Sequence, residues 1–142
     1  MSVFRMSNVG GLVSAQVGTL PKNDDGSAAV EGTGIDRHAV GNAQSVVLVA
    51  SCGAATGSPT AQTFDAKIQH STASASGYAD LTGAAITQIT ADDQIGYVDV
   101  DLTGANRYIR VVHTVTFTGG SSPAIPVATE LIFGGATAEP LT

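Results

Sequence analysis

Asp99 and Asp101 stand two positions apart in Gly96–Leu102 (GYVDVDL), so an extended backbone puts both carboxylates on one face. Two carboxyl groups roughly 5–9 Å apart can hydrolyse a glycosidic bond, one as acid and the other as base or nucleophile. Sugar-handling proteins usually add aromatic platforms, and this chain has no Trp. Arg107 and Arg110 on the next predicted strand offer opposite charges, so structural ion pairing is the expected role of these acids. Asp24–Asp25 and Asp92–Asp93 are oxygen-rich enough to suggest calcium, but neither lies in a D-x-D-x-D-G loop, and turn chemistry accounts for both. His38, His70 and His113 are far apart and in no compact ligand spacing. His113 falls on the apolar face of a predicted strand, where a hydrogen-bonded core histidine is expected. Cys52 is the single cysteine, follows the apolar run Val46–Ala50 and is expected as a small buried hydrophobe. No nucleophile elbow, phosphate loop or dinucleotide fingerprint occurs, and the glycines mark turns. Neither an enzymatic activity nor a cofactor or metal is expected.

The elements that must carry these residues are strands. Ala61–Ser71 (AQTFDAKIQHS) alternates cleanly, with Phe64, Ala66 and Ile68 on one face and Thr63, Asp65, Lys67 and Gln69 on the other. Arg107–Phe117 (RYIRVVHTVTF) puts Ile109, Val111, His113, Val115 and Phe117 on one side; Tyr108, Arg110, Val112, Thr114 and Thr116 form the other. Ser45–Ser51 (SVVLVAS) is apolar without alternation, the pattern of a strand covered on both faces or nearly so. Leu12–Leu20, Gly96–Leu102 and Ala124–Phe133 read as further strands, and Pro126 implies a strand start or an edge. Lys22–Gly26 (KNDDG), Gly53–Pro59, Thr103–Asn106 and Gly119–Pro123 read as turns. Gly32–Val40 is ambiguous between strand and loop. A short element is expected near Ala85–Ile89 within the Ser/Ala/Gly-rich stretch Thr72–Gln94. About seven or eight short strands with turn punctuation predict an all-β fold, an antiparallel β-sandwich of jelly-roll-like form. It is expected as one domain over residues 1–142, with 1–11 as an N-terminal arm.

Composition narrows the function classes. The 142 residues carry 6 basic and 12 acidic side chains, a net charge of −6. Arg5, Lys22, Arg37, Lys67, Arg107 and Arg110 are scattered, which argues against nucleic-acid binding, because phosphates demand clustered cations. No stretch approaches the roughly 18 apolar residues of a membrane span, and MSVFRMSNVGG lacks the apolar core of a secretion signal. Synthesis in a cytoplasm, with no membrane partner, is the expectation.

Three segments carry a family resemblance: AKIQHS (Ala66–Ser71) with a Ser/Gly loop reaching Tyr78 and Asp80, NRYIRV (Asn106–Val111), and a closing LIFGGA (Leu131–Ala136). In that order they resemble the small head decoration, or cement, proteins of tailed bacteriophages, over roughly Ser45 to Ala136. The resemblance implies a jelly-roll-like virion structural protein that stabilises a capsid by binding between capsomers. The major capsid protein would be its partner, and it would associate with itself; closed two-fold symmetry favours a homodimer, with a trimer as the alternative. A low-charge Thr/Ser/Ala-rich sheet face fits that role, since few ions must be stripped of water on contact and few rotamers are lost. Tyr108, Val112, Thr114 and Thr116 form the expected self-complementary patch, and Val3, Phe4 and Met6 an arm for a second partner. The alternative is a carbohydrate-binding or host-attachment module of tail-fibre type.

Overall fold

A computed structural model describes residues 9–136. Among the described residues, nine strands form two antiparallel sheets: β1 (Ser14–Asp24), β2 (Val30–Glu31), β3 (Ile35–Asp36), β4 (Ser45–Cys52), β5 (Ala61–Ser71), β6 (Ala79–Ala85), β7 (Ile95–Asp101), β8 (Tyr108–Thr118) and β9 (Ile125–Gly134). The first sheet, A, runs β1-β9-β4-β7; the second, B, runs β2-β8-β5-β6, with β3 also pairing β8. From β4 on, consecutive strands lie in opposite sheets except β5 and β6, and the last strand returns beside the first. That is the doubly wound Greek-key order of a jelly roll.

Period-two burial builds the core. β4 buries Val46, Leu48, Ala50 and Cys52; β5 buries Phe64, Ala66 and Ile68; β8 buries Ile109, Val111, His113 and Val115. Phe64, Phe133, Leu48, Ile68, Leu102 and Ile109 are the bulkiest side chains closed off between the sheets. Ile68, Val100, Ile109 and Val111 share this one cluster. Pro126 is the second residue of β9, a central strand, so the missing donor sits at a strand start.

Three expectations are corrected. The ladder continues through Lys22, Asn23 and Asp24, so the turn begins only after the expected KNDDG start. The element in the Ser/Ala/Gly-rich stretch is β6 at Ala79–Ala85, ahead of the expected position. β4 is fully buried on one face only: Val47 and Val49, on the other, are half-buried and point away from the core.

The sheet edges meet through two glycines. A Cβ on Gly32 would stand 2.0 Å from the Gly18 carbonyl oxygen, and one on Gly18 would stand 2.5 Å from Thr129 Oγ1. Hydrogen at Gly32 lets the segment after β2 reach β1, and hydrogen at Gly18 leaves room for Thr129 and Val111.

Candidate functional site

The sandwich presents three places where polar or apolar groups gather: a buried chain between the sheets and the two outer faces.

In the interior, His113 Nε2 lies 2.8 Å from Asp24 Oδ2. On its far side, His113 Nδ1 lies 2.7 Å from Thr19 Oγ1, and Thr19 Oγ1 lies 2.8 Å from Thr129 Oγ1. The Thr19 N–H donates to Thr129 Oγ1 at 2.7 Å, and the Gly26 N–H donates to Asp24 Oδ1 at 2.8 Å. Phe64 meets the imidazole edge-on with ring centroids 5.6 Å apart. A neutral imidazole with its proton on Nε2 satisfies every member: Thr129 donates to Thr19, Thr19 to Nδ1, and Nε2–H to Asp24. Burial holds His113 below its ordinary proton affinity, partly opposed by its hydrogen bond to Asp24. Acid, imidazole and hydroxyl in a row are the parts of a nucleophilic triad. Here Asp24 and His113 are 0% exposed and Thr19 2%, so no substrate reaches the hydroxyl. The chain spans sheet A (β1, β9) and sheet B (β8), and its work is to pin them together.

The outer face of sheet B is a closed polar lattice. Arg110 forks onto Glu31 with Nη1–Oε2 at 2.9 Å and Nη2–Oε1 at 3.0 Å, and its Nε donates to Gln69 at 2.9 Å. Gln69 donates to Asp80 at 2.8 Å, and Lys67 pairs with the same carboxylate at 2.8 Å. The Arg110 guanidinium also lies 4.2 Å from the Tyr78 ring centre. The lattice thereby crosses β2, β8, β5 and β6. The Lys67 and Gln69 hydrogen bonds hold the Asp80 carboxyl below the usual carboxylate range. Tyr108, Val112, Thr114 and Thr116 lie on this face: Val112 is 7% exposed, Tyr108 and Thr114 are half-buried, and Thr116 is exposed.

The outer face of sheet A is different in kind. Cross-strand register sets Val17, Glu130, Val49 and Tyr97 in one row, and Ala15, Ile132, Val47 and Asp99 in the next. Tyr97 is 70% exposed, and Ile95 beside it on the edge strand is 69% exposed. Neither row contains a Lys or Arg.

The other candidates separate. Asp99 and Asp101 do not pair with Arg107 and Arg110, because β7 belongs to sheet A and β8 to sheet B. Arg107 pairs with Asp36 at 2.7 Å and Arg110 with Glu31, while Asp101 accepts the Thr103 N–H. The arginine beside Asp36 is the main reason that carboxyl lies below its usual range. Asp25 accepts from the Ser27 N–H, and Asp92 from the Ala55 N–H and the Gln62 amide. Among the described residues no group of three or more His, Cys, Asp or Glu is arranged for a metal. Cys52 is buried, its thiol directed at the Ala91 carbonyl. His70 Nδ1 accepts the Asn106 N–H. Val3, Phe4 and Met6 lie outside the described residues.

Sequence reasoning missed Thr19, Thr129 and the inward turn of Asp24; no local spacing signals a contact 89 residues away. It also missed Arg37, 7% exposed, which donates to the carbonyls of Ala43, Ala105 and Asn106 and ties three segments together.

No family model and no curated protein matches the sequence. Among solved structures the chain is similar to an Eiger TNF from S. frugiperda, with 11% identity over 95% of this chain and 92% of that one, at a TM-score of 0.38. It is also similar to a family 11 carbohydrate-binding module from Clostridium thermocellum, solved with a β-1,3-1,4-mixed-linked tetrasaccharide. The identity is 13% over 96% of both chains, at a TM-score of 0.31.

Proposed function

We propose that this protein is a non-enzymatic virion component that decorates a phage capsid and braces it between capsomers. The observation that carries the reading is β4. Its sequence is apolar on both faces, yet the sandwich fully buries only one, leaving Val47 and Val49 half-buried on the outer side beside Ile132. A contiguous outward band of β-branched side chains marks a surface that meets another protein. The sealed Asp24–His113–Thr19 chain favours a structural role over a catalytic one. The resembling segments fall on framework: Ala66–Ser71 ends β5, Asn106–Val111 opens β8, and Leu131–Ala136 closes β9. Self-association through Tyr108, Thr114 and Thr116 on sheet B is part of the proposal; Val112, expected in the same patch, is 7% exposed and too buried to add to it. Many copies of a modest contact then add up by avidity.

The deciding experiment mixes the purified protein with assembled shells of the major capsid protein. It should sediment with them and raise their resistance to heat or denaturant. A protein that stays in the supernatant and leaves shell stability unchanged defeats the reading. Binding to a glycan array instead would favour a carbohydrate-recognition module.

A further inference from the structure

Resting on that reading, we infer that the outer face of sheet A is the shell-contacting surface, and that its partner presents an apolar patch carrying a Lys or Arg to Glu130. The face supplies the apolar half of the contact through Val17, Val49, Ile132 and Tyr97. Its charge supplies the rest. Glu130 stands among these residues on the central strand β9, exposed and with no cation in its row. The flanking strand adds Asp99 and Asp101, again without a base. An acid amid apolar side chains loses hydration when covered, and a partner cation offsets that loss more strongly than a neutral donor does.

The same accounting argues against a second copy of this chain. Five of the six Lys and Arg residues are described, and each is committed within its own chain. Lys22 lies 3.7 Å from Asp24; Lys67, Arg107 and Arg110 pair with Asp80, Asp36 and Glu31; and Arg37 is spent on backbone carbonyls. The sixth, Arg5, lies outside the described residues. Two copies joined face to face would set Glu130 against an equally acidic surface. Sheet B cannot serve as the complementary face, because its arginine and lysine already satisfy its own acids.

The test uses the full chain and assembled capsid shells, read by co-sedimentation across a salt series, with light scattering on the protein alone. Tyr97→Ala and Glu130→Lys should each weaken shell binding by about tenfold or more, and Glu130→Gln should reduce its salt dependence. Tyr97 is so exposed that its truncation leaves the fold intact, which separates loss of contact from loss of structure. Thr82→Asp, exposed on the sheet B edge strand β6, should leave shell binding unchanged. If the sheet A variants bind as wild type, the inference falls and the shell-bracing reading survives. If the wild type ignores shells, both fall. An oligomer that dissociates on Tyr97→Ala would assign this face to a second copy and overturn the inference.

Discussion

The imidazole of His113 and the carboxylate of Asp24 meet at 2.8 Å in the buried interior, joining the end of β1 to the middle of β8. Neither residue is exposed at all, so the pair answers to the solvent only through folding equilibria. Removing one partner would leave the other buried and unsatisfied, at about 1–3 kcal/mol or more where a charge is left.

The pH dependence follows from the sign of the shift. Burial pulls His113 below its ordinary value of 6.5, so the unfolded chain binds a proton where the folded chain does not. The resulting stability is complete above about pH 6.5 and is lost as the pH falls towards the lowered folded value. Asp36 and Asp80, whose affinities are depressed, lose their contributions only below 3.8. The first step of acid destabilisation therefore belongs to His113. Thermal melts between about pH 7.5 and 5 should show it, and His113→Gln should lower Tm at neutral pH and flatten the slope. A wild-type Tm that rises on acidification would show that Asp24 wins over burial.

The glycine contact gives a graded pair of variants. Gly32→Ala drives a methyl into the rigid carbonyl of Gly18, whereas Gly18→Ala meets the Thr129 hydroxyl and, at 2.8 Å, Val111 Cγ2. Overpacking of this kind costs about 1–3 kcal/mol, and the obstacle made of backbone should cost more. Denaturant melts should rank Gly32→Ala below Gly18→Ala, and both below wild type. A Gly32→Ala variant as stable as wild type would mean β1 does not close on the segment after β2.

Where side chains alternate strictly, the sequence was readable to the residue: β5 occupies Ala61–Ser71 as the pattern predicts. β6 was displaced because ADLTGAA is nearly all exposed and its small side chains carry no periodic signal. The pairing partners of Asp99 and Asp101 were misjudged for a topological reason. Thr103–Asn106 reads like a hairpin turn, but Leu102 is fully buried at a corner that carries the chain from one sheet to the other. Turn composition is the same in both cases. The buried network was invisible for a related reason: Asp24 sits in KNDDG, whose polarity implies solvent, and its partner is set by the fold alone.

Arg37 tests the corner. Its guanidinium donates at 2.6 Å to Ala105 and at 3.1 Å to Ala43, and burial lowers its proton affinity without a carboxylate to restore it. Lysine keeps the charge but lacks the planar fork, so carbonyls would be stranded. Arg37→Lys should cost about 1–3 kcal/mol in denaturant melts and speed amide exchange at Ala105. An unchanged midpoint would mean that water replaces the fork without penalty.

β4 offers the sharpest contrast within one strand. Leu48 is fully buried, and Val49, its neighbour, faces outward and is half-buried. Leu48→Ala should cost about 2–5 kcal/mol in the isolated protein, since it removes packed methyl groups and leaves a cavity. Val49→Ala should cost less than about 1 kcal/mol, because little surrounds its outer side. Bound to shells, Val49 gains neighbours, so its substitution should weaken attachment far more than it weakens folding. Leu48→Ala should act in the opposite sense, lowering Tm strongly while the fraction that remains folded still binds. Parallel melts and shell sedimentation of the two variants separate these effects. Equal losses of stability would mean that β4 is covered on both faces within the single chain, and its outward valines would then no longer point to a partner.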